Sequence, residues 1–227
     1  MKEEQKGEKM QNKYFGDKHD FYKYLLLKYI SEYYSLGIHW CLVPDEPQKN
    51  DGKKTLSNLE MDKESTLFNI LKNSKKNITS IENYFKKNVK YFIEKHEHFY
   101  MDHFYQKNSI EKLKNQEIIF FDPDNGIEVL STNNKNKFKY VSYSLLANYW
   151  KMGKTLIIYQ HKDRNKESTN EKINYLCETL KCNKFLNIEI VRKGNVKYIF
   201  IINKKHFKLK KIIADFINDN NEYKKDI

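Results

Sequence analysis

The chain has 227 residues, of which 39% are hydrophobic and 15% aromatic, so it is long enough to bury the core of one large domain. No apolar run approaches the roughly 20 residues of a membrane span, which excludes a helical membrane protein. Lys and Arg number 42 against 30 Asp and Glu, and the formal charge of +12 favours a polyanionic partner such as nucleic acid. The codon usage of an AT-rich genome would also explain this Lys-rich composition.

The cysteines indicate a reducing compartment. Cys41, Cys177 and Cys182 form no CxxC pair, and their odd number argues against a disulfide framework. Residues 1–13 are polar and lack the apolar segment of a signal peptide. We therefore expect a cytoplasmic protein with a disordered tail at 1–13 and a single α/β domain at 14–227.

The first predicted element is a helix. Asp17 or Asp20 can cap its N-terminus, its apolar stripe continues to about Ser35, and Gly37 ends it. The apolar run Ile38–Val43 then predicts a buried strand. Short elements are predicted before the next strong strand, at 66–71, 78–85 and 109–114 for helices and at 89–93 for a strand.

The strand Ile118–Phe121 opens the second half of the chain. Further elements are predicted as a basic loop at 133–139, a helix at 142–150, a strand at 155–159, a helix at 171–180, strands at 187–192 and 196–202 and a basic helix at 207–217. This alternation favours a doubly wound, mainly parallel Rossmann-like sheet. The last two strands flank Gly194, which predicts a C-terminal antiparallel hairpin and one antiparallel edge strand.

The most informative segment is Ile118–Gly126, a buried strand that stops on Asp-Pro-Asp-Asn-Gly. In open α/β sheets, ligands bind beyond the carboxyl ends of the strands, so polar residues there are candidates for chemistry. The candidates at or near such ends are Asp122, Asp124, Asn125, Gln160, His161, Asp45, Glu46, Gly16, Asp17, Asp20 and Lys23. Each group also has a structural explanation as a turn, a strand end, a solvated loop or a helix cap.

The arrangement of these segments resembles the large-subunit ribosomal RNA adenine-N6 methyltransferase family, within the class I S-adenosylmethionine-dependent methyltransferases. That family has an N-terminal G-N-x-A-D-x-x-K-H segment, and Gly16, Asp17, Asp20 and Lys23 have the same spacing. Its catalytic D-P-P-Y or D-P-P-F motif follows an apolar strand, as Asp-Pro-Asp-Asn does at 122–125. The resemblance covers roughly residues 14–165.

The resemblance implies a methyltransferase-like fold and an enzyme that methylates an amino group of a nucleic-acid base. It implies S-adenosylmethionine as the cofactor, bound by Gly16, Asp17, Asp20, Lys23, Asp45 and Glu46. Asp122, Asp124 and Asn125 would be catalytic, and Gln160 and His161 would line the target pocket. Two departures are that Asn125 replaces the aromatic residue that stacks on the base, and that no glycine follows the first strand before Gly52.

Two alternatives follow from the residues themselves. Asp122 and Asp124 can bind Mg²⁺ in a nuclease or phosphatase, with Glu128 and Asp163 as further ligands. A non-catalytic nucleic-acid-binding module on the same fold would instead use a set of C-terminal lysines, Lys204, Lys205, Lys208, Lys210 and Lys211. His96, His98 and His103 lack a further ligand at helical spacing, so no other metal site is predicted.

Overall fold

The computed structural model describes residues 15–43, 55–73, 77–94, 102–129, 134–161, 169–181, 186–192 and 196–226. The tail predicted at 1–13 lies outside these ranges. Within them the strands are β1 Leu36–His39, β2 Val89–Phe92, β3 Ile118–Phe121, β4 Thr155–His161, β5 Leu186–Arg192, β6 Val196–Ile202 and β7 Tyr223–Asp226. The α-helices are α1 Lys18–Ser31, α2 Asn58–Lys63, α3 Ser65–Asn73, α4 Asp102–Leu113, α5 Tyr143–Lys151, α6 Thr169–Thr179 and α7 Leu209–Asp219. Short 3₁₀ helices lie at Ile78–Tyr84, Asn134–Lys139 and Lys204–His206.

The strands form one sheet in the order β2-β1-β3-β4-β6-β5-β7. Strands β2, β1, β3 and β4 run parallel to one another. Strand β6 is antiparallel to both β4 and β5, and β7 is antiparallel to β5. The chain passes from β1 to β2 on one side and then to β3 on the other side of β1. The carboxyl ends of β1 and β3 therefore form a topological switch point, where open α/β sheets bind ligands.

Alternate residues of the central strands supply two hydrophobic cores. On β3, Ile118 and Phe120 pack in the core that α1, α3 and α7 cover, while Ile119 and Phe121 pack in the core that α4, α5 and α6 cover. A sheet with helices on both faces needs apolar residues on both sides of each strand. The predicted doubly wound, mainly parallel α/β class is thereby confirmed.

Strand β1 begins and ends earlier than predicted. The expected strand was Ile38–Val43, but the ladder includes only Leu36–His39, because both neighbouring strands end level with His39. Trp40–Val43 are still buried. Cys41 has a φ of +41°, a conformation that ends an extended strand.

The C-terminal hairpin is confirmed by β5 and β6, which pair in an antiparallel register. The antiparallel strand β6 lies inside the sheet, however, between β4 and β5, and the edge is formed by β7, which was not predicted. Helix α2 was also not predicted, α4 is longer than the expected 109–114, and the expected basic loop contains a 3₁₀ helix.

Candidate active site

A buried cluster of charged side chains lies at the switch point. The Nζ atom of Lys23 is 2.7 Å from Asp20 Oδ1 and 2.7 Å from Asp122 Oδ2. These side chains are only 7%, 11% and 14% exposed, respectively. We call the three residues the acid–lysine cluster. It joins the first helix to the end of β3, two of the segments in which site residues were predicted.

The start of helix α1 positions Asp20 and Lys23. Asp17 is the N-cap, because its carboxylate accepts hydrogen bonds from the amides of His19 and Asp20 at 2.7 and 3.0 Å. Gly16 has a φ of +94°, and its amide donates to Asp20 Oδ2 at 2.8 Å. Glycine adopts this conformation without strain. Of the two residues predicted as possible N-caps, Asp17 therefore caps the helix, whereas Asp20 pairs with Lys23 in the cluster.

Two tyrosine rings enclose the ammonium of Lys23. The Nζ atom is 4.9 Å from the ring centroid of Tyr24 and 5.3 Å from that of Tyr159. Such cation–π contacts partly compensate a buried ammonium for lost water. Tyr159 was not predicted to be a site residue, although the strand register would have placed it next to Asp122. Phe121 pairs with Ile158 in parallel strands, so the next residues, Asp122 and Tyr159, face the same side.

Burial and the two carboxylates determine the ionisation of the cluster. Burial raises the pKa of Asp122, an effect that Lys23 opposes and that Asp20 reinforces. Burial alone would lower the pKa of Lys23, but attraction to Asp122 and Asp20 outweighs it and raises that pKa well above its ordinary value. With all three groups ionised, two carboxylates and one ammonium leave a net negative charge. The cluster thus contains two acidic side chains and one basic side chain, in a chain of formal charge +12.

The Asp-Pro-Asp-Asn-Gly turn is held by Gln160. The amide of Ile127 donates to Gln160 Oε1 at 2.9 Å, and Gln160 Nε2 donates to the carbonyl oxygen of His161 at 2.9 Å. Gly126 has a φ of +84°, and a Cβ atom there would lie 2.2 Å from Gln160 Oε1. Gln160, predicted to line the target pocket, is almost completely buried and supports this turn.

Three other predicted residues are exposed around the cluster. Asp124 and Asn125 lie at the tip of the turn, where the Asn125 amide donates to the carbonyl oxygen of Lys139 at 3.0 Å. His161 lies at the end of β4, and its ring centroid is 5.2 Å from that of Tyr159 in an edge-on arrangement. These side chains are therefore accessible to a ligand that approaches the crevice.

The opposite face of the same sheet edge carries His39 and Cys41, neither of which was predicted to be a site residue. Cys41 Sγ lies 3.2 Å from His39 Nδ1. Burial raises the pKa of the thiol well above its ordinary value, so Cys41 is not an activated nucleophile. Both residues line a cavity of about 30 Å³, which has room for about one water molecule. This cavity is too small for a base or a nucleotide cofactor.

The geometry around Asp122 does not favour the magnesium alternative. Lys23 Nζ occupies the position between Asp20 and Asp122 that a bound cation would take. Among the described residues, no group of three or more His, Cys, Asp or Glu is arranged to hold a metal ion. Asp124 points from an exposed turn, so it and Asp122 are in different environments.

Two further residues considered as ligands, Glu128 and His103, are not part of the cluster. Glu128 lines the cavity on the opposite face and lies 3.8 Å from Lys137 Nζ. His103 is exposed on α4. Five of the singled-out residues lie outside the described ranges, namely Asp45, Glu46, His96, His98 and Asp163.

Comparison with known proteins gave no match: no protein-family model, no curated protein and no solved structure matches the chain. In the part of the chain that the structure describes, no helix has the length and apolar character needed to cross a bilayer. The fold and the acid–lysine cluster are the features of the chain that bear on its function.

Proposed function

We propose that the protein is a nucleic-acid-modifying enzyme of the methyltransferase type, which uses S-adenosylmethionine to methylate an amino group of a base. The observation that carries this proposal is the acid–lysine cluster at the switch point of a Rossmann-like sheet. Both segments that support the family resemblance, Gly16–Lys23 and the turn that begins at Asp122, contribute to this cluster.

The charge of the cluster suits the proposed cofactor. S-adenosylmethionine carries its transferable methyl group on a positively charged sulfonium. The cluster has a net negative charge, and its burial strengthens attraction to a cation because water screens the charges less. Gly16, Asp17 and Asp20 are the described residues proposed to hold the cofactor, together with Lys23. Asp45 and Glu46 stay predicted contacts.

Asp122 is proposed to orient the amino group of the target base. Lys23 binds Oδ2 and so fixes the carboxylate, while no described residue donates a hydrogen bond to Oδ1. Oδ1 is therefore suited to accept an N–H of the amino group. Burial raises the pKa of Asp122, which makes the carboxylate a better acceptor for the proton that the nitrogen loses when it gains a methyl group.

The positive charge of the chain favours nucleic acid as the substrate, because Lys and Arg neutralise phosphates and release their counterions. The exposed side chains of Asn125 and His161 are proposed to contact the base as it enters the crevice. A base in a duplex would have to leave its stack to reach Asp122, whereas a base in a single strand would not.

The decisive experiment combines binding with chemistry. Calorimetry should detect heat on titration with S-adenosylmethionine or with S-adenosylhomocysteine, its demethylated product. Labelled methyl groups should be transferred to total RNA or DNA. Asp122→Asn keeps the side-chain shape and should lower transfer at least about 100-fold, as loss of a positioned acid–base group does. Glu111→Gln is the matched control, because this carboxylate is 72% exposed on α4.

Two outcomes would contradict the proposal. Absence of binding heat with both ligands would rule out the cofactor. Equal transfer by Asp122→Asn and the wild-type chain would remove Asp122 from the reaction. A non-catalytic module would instead bind nucleic acid equally well with and without the Asp122 carboxylate and would transfer no methyl group.

A further inference from the structure

A basic surface lies at the amino ends of the parallel strands, opposite the acid–lysine cluster at their carboxyl ends. Strand β4 begins there at Thr155, whose Oγ1 accepts a hydrogen bond from the Asn203 amide at 2.9 Å, just after β6 ends. The turn that follows α5 and the 3₁₀ helix Lys204–His206 therefore lie next to each other at this edge. The seven residues of β4 separate the two edges by roughly 20 Å, at about 3.3 Å per residue.

This surface combines exposed cations with one exposed aromatic ring. We define the amino-edge patch as Lys151, Lys154, Lys204, Lys205, Phe207 and Lys208. Phe207 is 69% exposed, an unusual position for a phenylalanine. Within the described residues, no salt bridge joins a lysine of the patch to an acid. Lys154 is half-buried and its Nζ donates to the Lys114 carbonyl oxygen, whereas the other four lysines are exposed and available to an anionic partner.

Two cations of the patch, Lys154 and Lys205, are close together. A Cβ atom at Gly153 would lie 3.2 Å from Lys205 Nζ, so this ammonium packs against the turn that precedes Lys154. Burial lowers the pKa of Lys154; Glu117 opposes this effect and the charge of Lys205 adds to it. Such crowding of like charges is relieved when an anion binds.

We infer that the amino-edge patch binds single-stranded nucleic acid, with its lysines on the phosphates and a base stacked on Phe207. Lysines that follow a backbone beside an aromatic platform are the usual elements of single-strand recognition. A duplex would offer no unstacked base to the ring.

A membrane surface fits the patch less well. Leu209, Ile213 and Phe216 of α7 are buried in the core, and Ile212 and Ile217 pack against it partly buried. The helix therefore has no apolar face to insert into a bilayer, which amphipathic membrane helices need.

The inference rests on the proposed function, which gives nucleic acid as the substrate. It adds a second surface of the protein that contacts this substrate. A strand held at the amino-edge patch would be anchored roughly 20 Å from Asp122, along the length of β4. Affinity would then depend on residues that take no part in the reaction. Binding can therefore be measured independently of methyl transfer.

The test is fluorescence anisotropy with a labelled oligothymidylate of about 12 nucleotides, within the range of single-strand site sizes. Phe207→Ala should weaken binding about 5- to 150-fold, which corresponds to the loss of one stacked base, and Phe207→Tyr should retain it. Phe104→Ala is the matched control, because Phe104 is 65% exposed on α4, outside the patch, and should bind like the wild-type chain.

A double variant tests how much the lysine charges of the patch contribute to nucleic-acid binding. Lys205→Gln with Lys208→Gln should reduce the slope of log affinity against log salt by about 1.4, or about 0.7 for each phosphate contact on a single strand. The control pair is Lys90→Gln with Lys107→Gln, two exposed lysines elsewhere on the surface.

Three results would decide the inference. Equal affinities of Phe207→Ala and Phe104→Ala would overturn it. Phe207-dependent binding to phosphatidylserine vesicles, without binding to the oligonucleotide, would overturn it in favour of a membrane surface. Phe207-dependent oligonucleotide binding by a chain that transfers no methyl group would support it while contradicting the proposed function.

Discussion

Lys23 Nζ lies 2.7 Å from Asp122 Oδ2, although 99 residues separate the two along the chain. The contact ties the first helix to the end of β3 at a site almost closed to water. A charge buried in such a site is tolerated only with its partner, because little water is present to solvate it. The electrostatics of the crevice and the stability of the fold therefore depend on the same side chains.

Lys23→Met should destabilise the fold by about 3–5 kcal/mol, because it leaves Asp20 and Asp122 buried together without a cation. Urea unfolding at neutral pH measures this loss. Lys86→Met is the control, because Lys86 is 58% exposed in its pair with Glu32 and should cost at most about 1 kcal/mol. Adding Asp122→Asn to Lys23→Met should recover part of the loss. A further loss on that addition would contradict the account.

Glu60 should make the fold sensitive to acid. Burial opposes ionisation, but hydrogen bonds from Ser57 and Lys18 outweigh it and lower the pKa of Glu60 from 4.5 to about 2. A lowered folded-state pKa contributes stability that is present above pH 4.5 and is lost as the pH falls towards 2. Glu60→Gln should therefore cost about 1–3 kcal/mol at pH 7. Unfolding curves should show this difference shrinking below pH 4.5; a constant difference would contradict it.

Two glycines with similar backbone angles should respond differently to substitution. Gly126→Ala requires a positive φ and also places Cβ 2.2 Å from Gln160 Oε1, so we expect a cost of about 2–4 kcal/mol. Gly153→Ala also requires a positive φ, but its Cβ would meet the flexible end of Lys205 and should cost about 1 kcal/mol. Thermal or urea unfolding compares the two, and equal losses would show that the clash with Gln160 is not decisive.

The cysteines should differ in reactivity. Cys41 is buried, and burial raises the pKa of its thiol well above the ordinary value, whereas Cys177 is only partly buried. Since the thiolate is the reactive form, iodoacetamide at pH 8 should label Cys177 long before Cys41. Mass spectrometry of the peptides measures both rates. In denaturant the two rates should converge, and early labelling of Cys41 in the folded protein would contradict its assigned environment.

The sequence predicted the parts of the fold whose local pattern and tertiary position agree. The run Ile118–Phe121 is apolar on both faces and forms a central strand, and Asp17 caps the first helix as its position suggested. Helix α2 was missed because Asn58–Lys63 is mostly polar and gives no apolar stripe. The end of β1 was placed too late because Trp40–Val43 is as apolar as a strand and is buried, although only Leu42 in it forms an isolated β-bridge.

The candidate site was predicted only in part. That Asp20, Lys23 and Asp122 lie near one crevice followed from strand ends and motif spacing. Their direct pairing did not, because spacing gives no side-chain direction between distant segments. The buried role of Gln160 was also not readable, since it depends on the positive φ of Gly126 in another part of the chain. The position of β6 inside the sheet depends on strand order, which hydrophobic patterns do not encode.

The long separation between Lys23 and Asp122 has a consequence for folding kinetics. A loop of about 100 residues must close before the ammonium gains its second carboxylate, so this contact should form late, after the transition state. In stopped-flow experiments, Lys23→Met should then accelerate unfolding and leave the refolding rate nearly unchanged. During synthesis on the ribosome, the Lys23 ammonium therefore stays exposed to water until the chain has been extended past Asp122.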